Sequence, residues 1–186
     1  MVASSQISPG MILSIDKNLF RVESSVKVTV PKGPPFIKAK LRNLSTEKVT
    51  ERNFKVGQEV EEVTLEERRL EYLYLEGKSY FFLDVGNLEQ VFVPPEIVGE
   101  RANYLKEGVE VEATFYGDRV FSLELPQFLE LMVSKTPAAV ESAQNLTNAT
   151  KEAVLETGAA IEVPPFIEAG DVIKVDTRTN EYIQRV

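Results

Sequence analysis

A chain with no histidine and no cysteine has lost the usual general base, the commonest zinc ligand and every thiol. Carboxylates, hydroxyls and amines are what remain for chemistry, and no paired-acid constellation stands out among them. One lysine does stand apart. Lys32 lies within Pro31-Lys32-Gly33-Pro34-Pro35, where three prolines cannot donate to a β-ladder and Gly33 permits a positive φ, so the connection is stiff and unpaired. A cation at such a tip has no acid close in sequence to neutralise it. Further basic residues surround it: Lys27 before the loop, then Lys38, Lys40 and Arg42 at alternating positions after it. Lysine and arginine in such a patch gain affinity for phosphate by releasing condensed counterions, whatever the base sequence. An ordinary solvated turn lysine is the alternative reading.

The elements that must hold this tip follow from the flanking pattern. Val26, Val28 and Val30 alternate with Lys27 and Thr29, and Ile37, Ala39 and Leu41 alternate with Lys38, Lys40 and Arg42. That period of two predicts a hairpin of two half-buried strands. From Ile7 to about Lys55, segments 11–15, 19–22 and 48–54 add short strands, which predicts a small SH3-like barrel.

A second run of strands is expected at 69–75 and 79–84, at 109–115 and 119–125, with one short helix over 96–105. The remainder is predicted to be a third small barrel, entered by a polar linker at 145–150 and built from strands near 153–155, 160–163, 171–175 and 181–186. The class is therefore all-β: three small barrels in series, an SH3-like domain over 1–63, an OB-type domain over 64–129 and a C-terminal OB-type domain over 130–186. Leu125-Pro-Gln-Phe-Leu-Glu130 and Val163-Pro-Pro-Phe-Ile-Glu168 share one pattern, which hints at a duplication.

Charge divides the chain unevenly. Residues 1–56 hold 10 Lys and Arg against 4 Asp and Glu, or +6, and residues 57–186 hold 11 against 25, or −14. A basic head on an acidic body points one end at an anionic partner. No basic leader precedes an apolar run, and no stretch nears the roughly 18 apolar residues of a membrane helix. A cytoplasmic protein that does not engage a membrane is the expectation.

The segment from Lys151 to Gly170 carries the most specific pattern. It reads Lys151-x-Ala153, then Gly158, Ile161, Val163-Pro164-x-Phe166-Ile167 and Gly170, and it resembles the signature of the bacterial elongation factor P family at every fixed position. The Lys32 hairpin, the strand Tyr72-Leu73-Tyr74 and the tail from Ile173 to Val186 extend the resemblance over the whole chain.

The resemblance implies an L-shaped, tRNA-like outline. It also implies a monomeric factor without cofactor or metal that binds the 70S ribosome between the P and E sites. There such a factor promotes peptide-bond formation at polyproline stalls by positioning the CCA end of the P-site tRNA, so the chain is expected not to be an enzyme. Lys32 matches the tip residue that contacts the CCA end and that a lysine-modifying enzyme extends in many members. The same likeness makes Pro31, Gly33, Pro34 and Pro35 the residues that set the loop, and Lys27, Lys38, Lys40 and Arg42 contacts to tRNA or ribosomal RNA phosphates. Tyr182 and Arg185 match the family's C-terminal end, which implies either C-terminal RNA contacts or a terminal strand that closes the barrel.

Two departures point to a divergent paralogue. Val30-Pro31-Lys32-Gly33 stands where many members have Pro-Gly-Lys-Gly, and Glu141-Ser142-Ala143 where many have Gly-Asp-Thr. The competing expectation is a non-ribosomal β-barrel scaffold that binds proteins through its acidic body.

Overall fold

The computed structural model describes residues 1–138 and 149–186. Of the expected linker only Ala149 and Thr150 are among them, and Glu141-Ser142-Ala143 lies outside them. Two compact units divide the chain, residues 1–66 and 67–186.

In the first unit β1 (Val2–Ala3), β2 (Ile12–Ile15), β3 (Asn18–Val28), β4 (Phe36–Asn43), β5 (Val49–Lys55) and β6 (Glu59–Val63) form one sheet in the order β1-β6-β2-β3-β4-β5. Ile7, Leu13, Val22, Ile37, Ala39, Leu41, Phe54 and Val60 fill its core. The alternation in β4 is as the sequence predicts, with Ile37, Ala39 and Leu41 buried and Lys38 and Lys40 exposed.

The first strand of the hairpin differs. Segments 19–22 and 26–28 are one continuous strand, because the polar Glu23 is absorbed in a β-bulge and does not break it. Val22 pairs with Leu41 and Ser24 with Lys40, so Glu23 is the extra residue. A bulge reverses which face each later side chain takes. Val26 consequently stands opposite Lys38 and Val28 opposite Phe36, while Lys27 stands opposite the buried Ile37. The valines share the lysine face, and Val26 is 55% exposed.

The second unit opens with β7 (Glu66–Glu76), followed by β8 (Ser79–Asp84), β9 (Gln90–Val93), β10 (Glu110–Tyr116) and β11 (Arg119–Glu124) in the order β11-β10-β7-β8-β9. Leu70, Phe82, Val93, Val111 and Phe115 are central in its core. The expected single helix over 96–105 is two pieces, α1 (Pro95–Val98) and a 3-10 turn over Gly99–Tyr104. Gly99 separates them because its φ of 54° and ψ of −136° leave the helical region.

The last sheet contains β12 (Phe128–Lys135), β13 (Lys151–Leu155), β14 (Ala160–Val163), β15 (Val172–Asp176) and β16 (Glu181–Arg185) in the order β14-β13-β12-β15-β16. Its edge strands β14 and β16 meet, which rolls it toward closure. The six-residue pattern shared by 125–130 and 163–168 takes two conformations. Phe128 opens the central strand β12, whereas Phe166 lies in a turn after β14. A structural duplication is therefore not what the pattern records.

The two sheets of this unit interlock. Tyr104, from the 3-10 turn, is buried in the core of the last sheet, and Leu125 and Leu129 pack against both cores. The Tyr104 hydroxyl donates to Asn180 Oδ1, and Lys106 Nζ reaches Glu156 Oε1 at 2.9 Å.

Candidate functional site

The β3–β4 hairpin is held on both flanks, because β5 runs beside β4 as far as the pair Phe36–Lys55 and β2 lies beside the base of β3. Only the loop 29–35 goes further. There the chain turns at Pro31–Lys32, and Pro31, Lys32, Gly33 and Pro34 are exposed while Pro35 is half-buried. Prolines at three of the seven positions remove donors and fix φ, so the tip is stiff without a ladder. Gly33 has a different role from the one its sequence context predicts. Its φ is not in the left-handed region; a Cβ there would stand 3.0 Å from Val30 Cγ2. Glycine admits the Val30 side chain, and the loop folds on itself.

Among the described residues Lys32 makes no ion pair or hydrogen bond. Lys27 and Lys40 are likewise unpaired. Two other predicted cations are engaged: Lys38 pairs with Glu51 at 3.4 Å, and Arg42 donates to the Glu23 carboxylate and to Glu47 O. The patch is therefore narrower than the sequence suggests. Its free charges are Lys32 at the tip, Lys40 on the lysine face and Lys27 on the opposite face.

Tyr182 and Arg185 lie apart from this hairpin in sequence and sheet. Tyr182 packs against the core of the last sheet. Arg185 is stacked over the Phe166 ring at 5.4 Å and approaches Asp171 at 3.9 Å. In the signature segment Ala153, Ile161, Val163 and Ile167 are buried, and Gly158 and Gly170 have φ near +92° and +95°. These are packing and turn positions. Phe166 is the exception, 53% exposed under the Arg185 guanidinium.

Family comparison covers the chain almost end to end. Residues 3–60 match the KOW-like domain of elongation factor P, residues 65–123 its OB domain, and residues 129–185 its C-terminal domain. The chain belongs to the elongation factor P family. It is thereby a translation elongation factor. Elongation factor P 1 of Protochlamydia amoebophila is 63% identical over 186 residues, covering all of both chains, and Elongation factor P 1 of Chlamydia caviae is 53% identical with the same coverage. Elongation factor P of Caldanaerobacter subterraneus is 40% identical, again over the full length of both.

Among solved structures, eukaryotic translation initiation factor 5A from Methanococcus jannaschii superposes with a TM-score of 0.51 at 16% identity. The match covers 67% of this chain and 92% of that one. This second likeness speaks to the fold, an all-β elongation factor P type with an SH3-like or KOW-like first module and OB-type architecture.

Proposed function

We propose that this factor binds the 70S ribosome between the P and E sites and promotes peptide-bond formation where consecutive prolines stall synthesis. Proline is a rigid and poor nucleophile, so much of its barrier lies in bringing the reacting groups together. A group that holds the CCA end of the P-site tRNA lowers the entropic part of that barrier without reacting. The observation that carries this reading is Lys32, an exposed amine with no partner among the described residues, on a proline-stiffened loop at the end of a supported hairpin.

In this reading Lys32 contacts the CCA end, and Pro31, Gly33, Pro34 and Pro35 set its loop. Lys40 and Lys27 contact RNA phosphates directly, and Lys38 and Arg42 do so in exchange for their glutamates. Tyr182 and Arg185 belong to the same RNA-facing set. Lys32 is also the position a modifying enzyme would extend. The factor works in the cytoplasm as a monomer with three working domains, 1–63, 64–129 and 130–186.

The test is translation in vitro of a message encoding three consecutive prolines, with and without the protein. Relief of the stall, together with co-sedimentation with 70S ribosomes, is the expected result. Persistence of the stall, with the protein left in the soluble fraction, contradicts it.

A further inference from the structure

The sheet β11-β10-β7-β8-β9 carries an exposed aromatic row that its core does not use. Register places Tyr74 opposite Phe81 and Phe81 opposite Phe92, so three aromatic side chains cross β7, β8 and β9 on the outer face. Tyr74 is 45% exposed and Phe92 49%. Their order is fixed internally. The Tyr74 and Phe81 rings stack at 5.0 Å and 25°, Phe81 and Phe92 lie 6.0 Å apart at 50°, and Gln90 Nε2 donates to Tyr74 Oη at 2.9 Å. A bulge at Leu73 makes the row possible. Tyr72 pairs with Phe82 and Tyr74 with Phe81, so Tyr72 enters the core while Tyr74, two residues on, faces out.

Contiguous exposed apolar groups rimmed by polar residues mark interaction sites. Prearranged rings lose little conformational entropy on docking. Charge selects the class of partner. Glu71, opposite Leu83, and Glu76, opposite Ser79, flank Tyr74 on the same face, and among the described residues neither carboxylate is paired. A surface that takes nucleic acid by stacking needs a cationic track for the backbone, and two free carboxylates beside the rings oppose one.

We propose that the Tyr74–Phe81–Phe92 row is a docking site for a basic protein segment, whose aliphatic or proline side chains cover the rings while its lysines or arginines meet Glu71 and Glu76. The site rests on the ribosomal reading above, which supplies basic proteins as neighbours.

The test places p-benzoylphenylalanine at position 92 of the full-length chain, irradiates its complex with purified 70S ribosomes, and identifies what is joined. Co-sedimentation is measured on the same samples. The expected product is a Lys- and Arg-rich peptide of a ribosomal protein. Its yield should fall about tenfold or more when Glu71→Lys and Glu76→Lys are introduced together, since like charges then face each other. Crosslinks to RNA, to a second copy of this chain, or to nothing while the chain is ribosome-bound overturn the site and leave the ribosomal reading standing. A yield insensitive to the charge reversal also overturns it. Failure of the unsubstituted chain to sediment with ribosomes removes both.

Discussion

Lys38 pairs with Glu51 at 3.4 Å, although the register sets Lys40, and not Lys38, directly opposite that glutamate. The diagonal pairing leaves Lys40 without a partner among the described residues. An exposed lysine already held by a carboxylate must give up that pair to reach a phosphate, whereas a free one only sheds counterions. Lys40→Ala is therefore expected to weaken ribosome binding more than Lys38→Ala, and to reduce the slope of log affinity against log salt by about one. Equal losses in a salt titration by filtration or sedimentation would show that Glu51 does not tune the patch.

Gly33→Ala tests why glycine stands beside the tip lysine. Its φ lies outside the left-handed region, so alanine gains from a less flexible unfolded chain, by about 0.4–1 kcal/mol at a compatible site. Against this stands the 3.0 Å approach to Val30 Cγ2. Val30 is 36% exposed and has room to rotate. The expected outcome in urea unfolding is a change within about 0.5 kcal/mol. A loss well above that would mean that a left-handed turn or an immovable Val30 governs the loop.

Tyr104→Phe removes only the hydroxyl that donates to Asn180 Oδ1. The ring remains in the core of the last sheet, where burial, followed by the nearby Asp176, holds its phenol above the usual range. A loss of about 0.5–1.5 kcal/mol is expected in chemical denaturation, the ordinary net value of such a bond. If the bond joins the two sheets, hydrogen exchange should also rise around Asn180 and Arg178.

Glu156 gives a pH dependence with a definite sign. Its carboxylate accepts the Met132 backbone N–H at 2.9 Å and then the Lys106 amine, and these hold it below the usual carboxylate range. A group depressed on folding contributes stability above its unfolded value and loses it as pH falls through its folded one. Glu156→Gln should therefore be less stable than the parent near about pH 7 and converge with it near about pH 3. Unfolding curves that differ equally at both values would contradict this.

Much of the fold was legible in the sequence where one face of a strand is buried. Ile37, Ala39 and Leu41 alternate into the core as their spacing predicts, and β8 begins at Ser79 and ends at Asp84. The bulges were not legible. Nothing in Val22-Glu23-Ser24 or Tyr72-Leu73-Tyr74 marks the extra residue, yet each reverses the faces that follow it and decides whether Val26 and Tyr74 are core or surface. The strands β1, β6, β9 and β12 escaped notice for related reasons. Val2–Ala3 is too short to show a period, and in Glu59-Val-Glu-Glu-Val63 only Val60 is buried while glutamates fall on both faces, so no period of two shows. At the site, the identity of the tip residue was legible, but the pairing of Lys38 and Arg42 depends on residues of other strands and was not.

The central claim concerns one amine, and the most direct measurement is the rate of proline–proline bond formation on stalled ribosomes with Lys32→Ala at matched ribosome occupancy. As an exposed substitution it should leave folding stability within about 0.5 kcal/mol. The account predicts that the variant still binds and no longer accelerates the bond. An acceleration equal to that of the unsubstituted protein would contradict it.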